Sequence, residues 1–359
     1  MAKMENDEKS AETLRHPDMT TAPISNAAVR LGIDVYSLRS QQWDAFQVLD
    51  YCHALGIQVV HFSEIKLLGS LDTPHLQAVR RRASELNLDL EIGMRSFCPT
   101  SNLFDASQGT PQEQLSRMIV AAETIGSPIV RAFVGNAADR RGAVPFAQSL
   151  QNAVGVLQSV RSQALASGIK IAVENHSGDM QASELKWLIE EAGPEFVGAC
   201  IDSGNPLITL EDPHLSLEVL APYVLTSHVR NTVVWLTPEG AAAAWVRMGE
   251  GNVGISEYIR KYLVMCPGRA LSLEIIISPQ PRPFPFREVG FWDAYRSVPA
   301  WQFMRFLQLA VKGEPARFRP LLPGESSVDR EREDLESSLV FTKDLLRAVS
   351  SRPEVSTNA

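Results

Sequence analysis

Short runs of apolar and β-branched residues recur along the chain. Each is followed by a longer stretch in which apolar positions return every three or four residues. The short runs predict strands over Leu31–Tyr36, Val59–Ser63, Leu88–Met94, Ile129–Val134, Lys170–Asn175, Val197–Asp202, Val224–Val229 and Leu271–Ile276. The longer pattern predicts helices over Trp43–Leu55, Leu76–Leu86, Gln112–Ile125, Phe146–Ser167 and Ala182–Ala192. Strands alternating with helices imply a parallel sheet. Gly56, Gly126, Gly168, Gly193 and Asn87 stand where a helical stretch gives way to a strand. Glycine, and less often asparagine, enters the left-handed conformation that ends a helix at little cost. Eight such repeats predict an α/β fold closed into a (β/α)8 barrel. An open doubly wound sheet is the alternative, but no GxGxxG turn follows Leu31–Tyr36.

The flanks read differently. Residues 1–28 are polar and mixed in charge, and are expected to form a loosely attached tail. The barrel is expected over 29–313, with an insertion after strand eight. There, prolines at 279, 281, 283 and 285 favour an extended segment and exclude helix or central strand. Aromatic residues follow at Phe291, Trp292, Tyr295, Trp301, Phe303 and Phe306. Residues 278–300 therefore read either as a stiff lid over a pocket or as a packing wrap or subunit contact. Residues 314–359 are expected to form a C-terminal helical extension, with Val328–Val349 lying outside the barrel or on a partner.

Composition narrows the class. Of 359 residues, 45% are apolar and 21% charged, which suits a folded globular chain. No apolar run approaches the ~18–20 residues of a membrane span, and the first 28 residues lack the apolar core of a secretory signal. The net charge is -8 and no basic run exceeds Arg80–Arg82, which argues against a nucleic-acid partner. Cys52, Cys98, Cys200 and Cys266 form no CxxC pair, so reduced thiols and a cytoplasmic location are expected.

Side chains at the C-terminal ends of barrel strands face the active end. Glu174, Asp202, His228 and Glu274 close strands five to eight there. Any one acid at such a position reads as a helix cap, and a lone histidine as a hydrogen-bonded interior one. Four together are different: two like charges ~4 Å apart repel by about 4 kcal/mol at an effective dielectric of ~20. A divalent cation removes that cost. Three carboxylates and one imidazole suit Mn2+, Mg2+ or Co2+, and Zn2+ also fits.

Glu174-Asn175-His176, Asp202-Ser203-Gly204-Asn205, Ser227-His228-Val229-Arg230 and Leu273-Glu274 together resemble the xylose isomerase-like TIM barrel superfamily, over roughly residues 29–277. Arg247-Met248-Gly249-Glu250-Gly251 is similar to that group's Gly-Glu-Gly loop. The resemblance implies that Glu174, Asp202, His228 and Glu274 are metal ligands and that the substrate is a small keto sugar or sugar acid. Ketose 3-epimerases of the group tend to carry a histidine three residues after the strand-six aspartate and a glutamate six after the strand-five glutamate. Asn205 and Met180 stand there instead, which speaks against simple epimerisation. Arg95, Arg131, Arg230 and Arg247 are candidate anion-binding residues, unless they pair with acids at the rim. His176 and Glu64 are candidate proton donors or acceptors, and Asn205 a substrate contact.

Chemistry common to the group passes through an enediolate. Proton removal makes an isomerase or epimerase, CO2 loss a decarboxylase, and loss of a β-hydroxyl a dehydratase. Glu174–Gln181, the Pro/Phe run at 279–286 and Phe291-Trp292 are similar to 3-oxo-isoapionate decarboxylases of apiose breakdown. That resemblance implies a carboxy-lyase making a ketotetrose and CO2, with Glu174, Glu274 and His176 catalytic. A DNA-repair endonuclease is disfavoured by seven histidines and an acidic balance. A non-catalytic barrel would be expected to lack one of the four ligands. A homodimer is expected for a barrel with aromatic extensions.

Overall fold

The computed structural model of the protein describes residues 29–276 and 278–350. The expected tail at 1–28 and residues 351–359 lie outside them. Eight parallel strands form the barrel: β1 Leu31–Asp34, β2 Val59–Phe62, β3 Asp89–Ser96, β4 Ile129–Phe133, β5 Lys170–Glu174, β6 Val197–Asp202, β7 Val224–His228 and, after the hairpin β8 Asn231–Thr237 and β9 Gly240–Val246, β10 Leu271–Leu273. The eight pair in sequence order from β1 to β7, with β10 on the other edge of β1. Val229 closes the ring: its N–H donates to Ser272 O at 2.7 Å, and Glu274 N–H donates to Val229 O at 3.0 Å.

The helices are α1 Ala45–Ala54, α2 Ile65–Leu68, α3 Thr73–Glu85, α4 Pro111–Ile125, α5 Phe146–Ser159, α6 Arg161–Ser167, α7 Ala182–Ala192, α8 Pro213–Leu220, α9 Ile255–Met265, α10 Ala300–Val311 and α11 Ser327–Ser350. Thr110 and Glu113 form a capping box on α4, and Asp44 with Gln47 does so on α1. The single helix expected over Phe146–Ser167 breaks at Val160 (φ -104°, ψ 3°). The strand expected to Tyr36 stops at Asp34, whose carboxylate instead accepts the Tyr36 N–H of a following 3-10 turn.

The main core lies between the outer faces of the barrel strands and the helices, and Leu335, Leu339 and Leu345 of α11 belong to it, while Ile129, Ala172 and Cys200 form a small separate cluster. Tyr51 Oη of α1 donates to Glu336 Oε1 at 2.7 Å. The C-terminal helix is thereby held against α1 on the outside of the barrel. The Pro-rich segment after Glu274 becomes a short edge strand, β11 Arg282–Phe284, antiparallel to β9. An edge is where a strand missing alternate N–H donors is tolerated. The small residues Ala241 and Ala243 of β9 accept Phe284, and Phe291, Tyr295 and Phe306 complete a second cluster. Tyr295 Oη donates to Ile208 O at 3.1 Å, and Arg140 Nε donates to Ala294 O at 3.2 Å. These contacts seat the 278–300 segment on the loops that follow β4 and β6. No helix among the described residues is long and apolar enough to cross a membrane. All four cysteines are buried, unpaired thiols.

Candidate metal centre

Strand direction brings the expected tetrad together. Glu174, Asp202 and His228 end β5, β6 and β7, Glu274 follows β10 directly, and all four are buried. One donor atom from each lies within 4.8 Å of the other three. His228 Nδ1 stands 3.1 Å from Glu174 Oε2 and 3.6 Å from Glu274 Oε2, yet makes no hydrogen bond. Separations near 3 Å are what ligands ~2.1 Å from one ion require. A fourth acid, Asp34 at the end of β1, places an unpartnered Oδ2 3.9 Å from His228 Nε2.

Two buried arginines enter the same space. Arg131 Nε donates to Glu174 Oε2 at 2.5 Å, and Nη2 reaches the same oxygen. Arg230 Nε donates to Asp202 Oδ2 at 2.8 Å, while its Nη2 bridges Asp202 Oδ2 and Glu274 Oε2. Asp202 Oδ1 accepts the N–H groups of Gly204 (2.6 Å) and Asn205 (2.7 Å). Burial pushes the Asp202 carboxyl up to about 7, and the Glu274 carboxyl upward as well, despite Arg230. Burial opposes ionisation of Glu174 too, but Arg131 and His228 outweigh it and hold that carboxyl well below the usual range. The three carboxylates of the tetrad and two guanidinium groups are packed together out of water, and burial works against ionising two of the three acids. A divalent ion bound among them favours their ionised form. The unpartnered Nδ1 and the donor set fit such an ion, and Glu174, Asp202, His228 and Glu274 are the residues that would hold it.

This arrangement agrees with what the chain is similar to. The model of the family described as xylose isomerase-like TIM barrel matches residues 49–288. The chain belongs to that family. The 3-oxo-isoapionate decarboxylase of Pectobacterium atrosepticum is 20% identical over 176 residues, 49% of this chain and 56% of that protein. The chain spans about half the length of the curated relatives it matches. Among solved structures, an L-ribulose 3-epimerase superposes with a TM-score of 0.61 at 15% identity, covering 92% of this chain and 98% of that one. An IOLI protein with a bound zinc atom gives 0.53 at 14%, covering 78% and 96%. At such identities the structures establish the shared fold alone.

The other candidates of this xylose isomerase-like barrel divide into two groups. Close to the tetrad are Arg131, Arg230, Asn205 and His176. Asn205 Nδ2 donates to Glu174 Oε1 at 3.3 Å, and its Oδ1 has no partner. His176 lies against Phe133 with ring centroids 3.8 Å apart, and its Nδ1 meets Gly135 O at 2.7 Å. Burial pushes the His176 imidazole down to about 4, so it is neutral near pH 7, with the proton on Nδ1 and a lone pair on Nε2. The remaining candidates make no hydrogen bond or ion pair with the tetrad. Arg95 is exposed on β3. Glu64 pairs with Lys66 at 3.1 Å. Arg247 binds Asp334 of α11 and reaches Glu333 at 3.5 Å. The 174–181 motif is held by Asp179, which accepts N–H groups from Gly135, His176 and Met180. Gly178 (φ 85°) leaves room for Ile208, whose Cγ2 would lie 2.3 Å from an added Cβ.

Sequence reasoning missed Asp34, His61 and Glu91. Asp34 obeys the strand-end rule that found the tetrad. His61 on β2 and Glu91 on β3 lie deeper: His61 Nδ1 is 3.1 Å from His228 Nε2 and 3.4 Å from Glu91 Oε2, which accepts Thr226 Oγ1 at 2.6 Å.

Proposed function

We propose that the protein is a divalent-metal-dependent carboxy-lyase acting on a 3-oxo sugar acid of the 3-oxo-isoapionate type, releasing a ketotetrose and CO2. One observation carries the metal-dependent reading: four buried donors on consecutive strands converge around an unpartnered His228 Nδ1. The decarboxylase reading draws on the Pectobacterium relative. A bound divalent ion supplies a Lewis acid that stabilises negative charge developing on a substrate oxygen.

The chain's own residues do the rest. Arg131 keeps Glu174 anionic. Arg230, once released from Asp202 and Glu274, is the guanidinium that grips a substrate carboxylate bidentately. That grip turns the carboxylate out of the carbonyl plane, so the breaking C–C bond overlaps the π system. CO2 departs, the electron pair remains as an enediolate, and the carbon then takes a proton from a water molecule, whose hydroxide is reprotonated by solvent. Glu174 and Glu274 are the carboxyl groups beside the reacting carbon. His176, neutral with a lone pair on Nε2, orients that water by accepting one of its protons in a hydrogen bond. The substrate is a small molecule, and we take the active unit to be a cytoplasmic homodimer.

A second reading is an isomerase or epimerase on a neutral ketose. It is favoured by the fact that both Arg131 and Arg230 are already engaged by carboxylates. One incubation separates the two. With Mn2+ and a branched 3-oxo sugar acid, the lyase releases stoichiometric CO2. With ketoses in D2O, an isomerase takes up solvent deuterium without carbon loss. Deuterium uptake in ketoses with no CO2 from the acid would sink the lyase reading.

A further inference from the structure

We infer that Arg230 is a tethered competitor of the divalent ion: its Nη2 holds the place between Asp202 and Glu274 that the ion needs, and metal loading displaces it. The inference rests on the metal-dependent reading above. Asp202 has one oxygen to offer, because Oδ1 already accepts two backbone N–H groups, from Gly204 at 2.6 Å and Asn205 at 2.7 Å. That remaining oxygen, Oδ2, is the atom that Arg230 takes with both Nε and Nη2. The same Nη2 takes Glu274 Oε2, which lies 3.6 Å from the unpartnered His228 Nδ1. A guanidinium and a metal ion at one pair of oxygens repel each other in a buried, poorly screened site.

Arg131 is different. It takes Glu174 Oε2, the oxygen 3.1 Å from His228 Nδ1, but Oε1 carries only the 3.3 Å contact from Asn205, so this carboxylate, unlike that of Asp202, has a second oxygen to turn towards the ion.

The side chain of Arg230 is built to move as a unit. Its stem runs in a slot that exists because residue 204 is glycine; a Cβ there would lie 2.6 Å from Arg230 Cγ and Cδ. Its guanidinium carbon sits 4.4 Å from the centroid of the Trp245 ring, an aromatic face that keeps a cation after the carboxylates release it. Nη1 is buried and has no hydrogen-bond partner among the described residues, so the inward position leaves the guanidinium incompletely satisfied. Displacement frees a guanidinium for a substrate anion, which orders binding as metal first and acid second.

The test is isothermal titration of the metal-stripped full chain with Mn2+, comparing wild type, Arg230→Gln and Arg230→Lys. Lysine keeps the charge but its single ammonium cannot hold both carboxylates as the fork does, and it guards against misfolding of the glutamine variant. Both variants should bind Mn2+ more tightly, by tenfold or more for Arg230→Gln and several-fold for Arg230→Lys. Tighter binding by Arg230→Gln alone, with Arg230→Lys matching wild type, means that charge acts through space and overturns displacement. Equal or weaker binding by both variants overturns it too. Absence of binding in all three chains overturns the metal-dependent reading itself, and this inference with it.

Discussion

His61 and His228 face each other inside the barrel, Nδ1 to Nε2 at 3.1 Å, with ring centroids 4.8 Å apart. A metal on His228 Nδ1 requires the proton of that ring to sit on Nε2, and His61 Nδ1 is the acceptor that keeps it there. His61→Leu removes the acceptor and should weaken Mn2+ binding about 10- to 100-fold. His61→Asn, whose amide oxygen accepts the same proton, should recover part of the loss. Calorimetric affinities and the absorption spectrum of the Co2+-loaded chain are the readouts. Wild-type affinity in His61→Leu would remove His61 as a positioning residue.

Glu174 and Glu274 should differ when neutralised. Both Glu174→Gln and Glu274→Gln should abolish metal binding and turnover. Only the first leaves a buried guanidinium without an anion, since Arg131 otherwise reaches just the Met94 and Ser63 carbonyls. Breaking a buried pair costs about 3–5 kcal/mol. In Glu274→Gln, Arg230 keeps both bonds to Asp202, so the loss should be clearly smaller. Chemical denaturation of the metal-free chains measures both. Equal destabilisation would show that Arg131 and Arg230 do not divide the carboxylates in this way.

Much of this was readable from residue order. Eight apolar runs with intervening helical periods determine the barrel. The strand-end rule then places Glu174, Asp202, His228 and Glu274 on one rim, because a closed barrel leaves those ends no other direction. What could not be read depends on register or on side-chain direction. His61 and Glu91 sit within runs that read simply as apolar, and their meeting with His228 depends on how β2, β3 and β7 stagger. Arg131 and Arg230 are recognisable as inward cations, but not as partners of the ligand carboxylates. The β8–β9 hairpin was hidden by Ala241–Ala244, a run with the highest helix propensity, which tertiary pairing turns into strand. Arg247 resembles part of a functional loop, yet α11, which supplies Asp334, lies some 80 residues later in the chain, beyond the reach of local pattern.

The Gly-Glu-Gly loop should matter for docking of α11. Gly249 has φ 89°, and a Cβ there would lie 2.6 Å from the Phe341 ring. Left-handed strain plus overpacking should make Gly249→Ala cost about 2–4 kcal/mol. If Phe341 is the obstacle, Gly249→Ala combined with Phe341→Ala should be less destabilised than the sum of the two single changes. Denaturant unfolding of the four chains completes the cycle, and strict additivity would place the cost in the loop backbone alone.

Glu211 should give the fold a pH dependence unrelated to the metal centre. Burial, aided by the neighbouring carboxylates of Glu184 and Asp212, pushes its carboxyl up to about 8, against the stabilising N–H of Ala182 at 3.0 Å. An acid with a higher pKa in the folded than in the unfolded chain favours folding while it is protonated. Its contribution is therefore complete below the ordinary carboxyl range and fades as pH rises towards 8, with a slope of at most about 1.4 kcal/mol per pH unit for one proton. Glu211→Gln keeps an oxygen for the Ala182 N–H and cannot ionise. Relative to this variant, wild type should lose stability steadily between pH 5 and pH 8 in denaturant titrations. Parallel curves over that window would mean that Glu211 is ionised in the fold and that its contacts with Ala182 and Gln302, the latter at 3.1 Å, are those of a carboxylate.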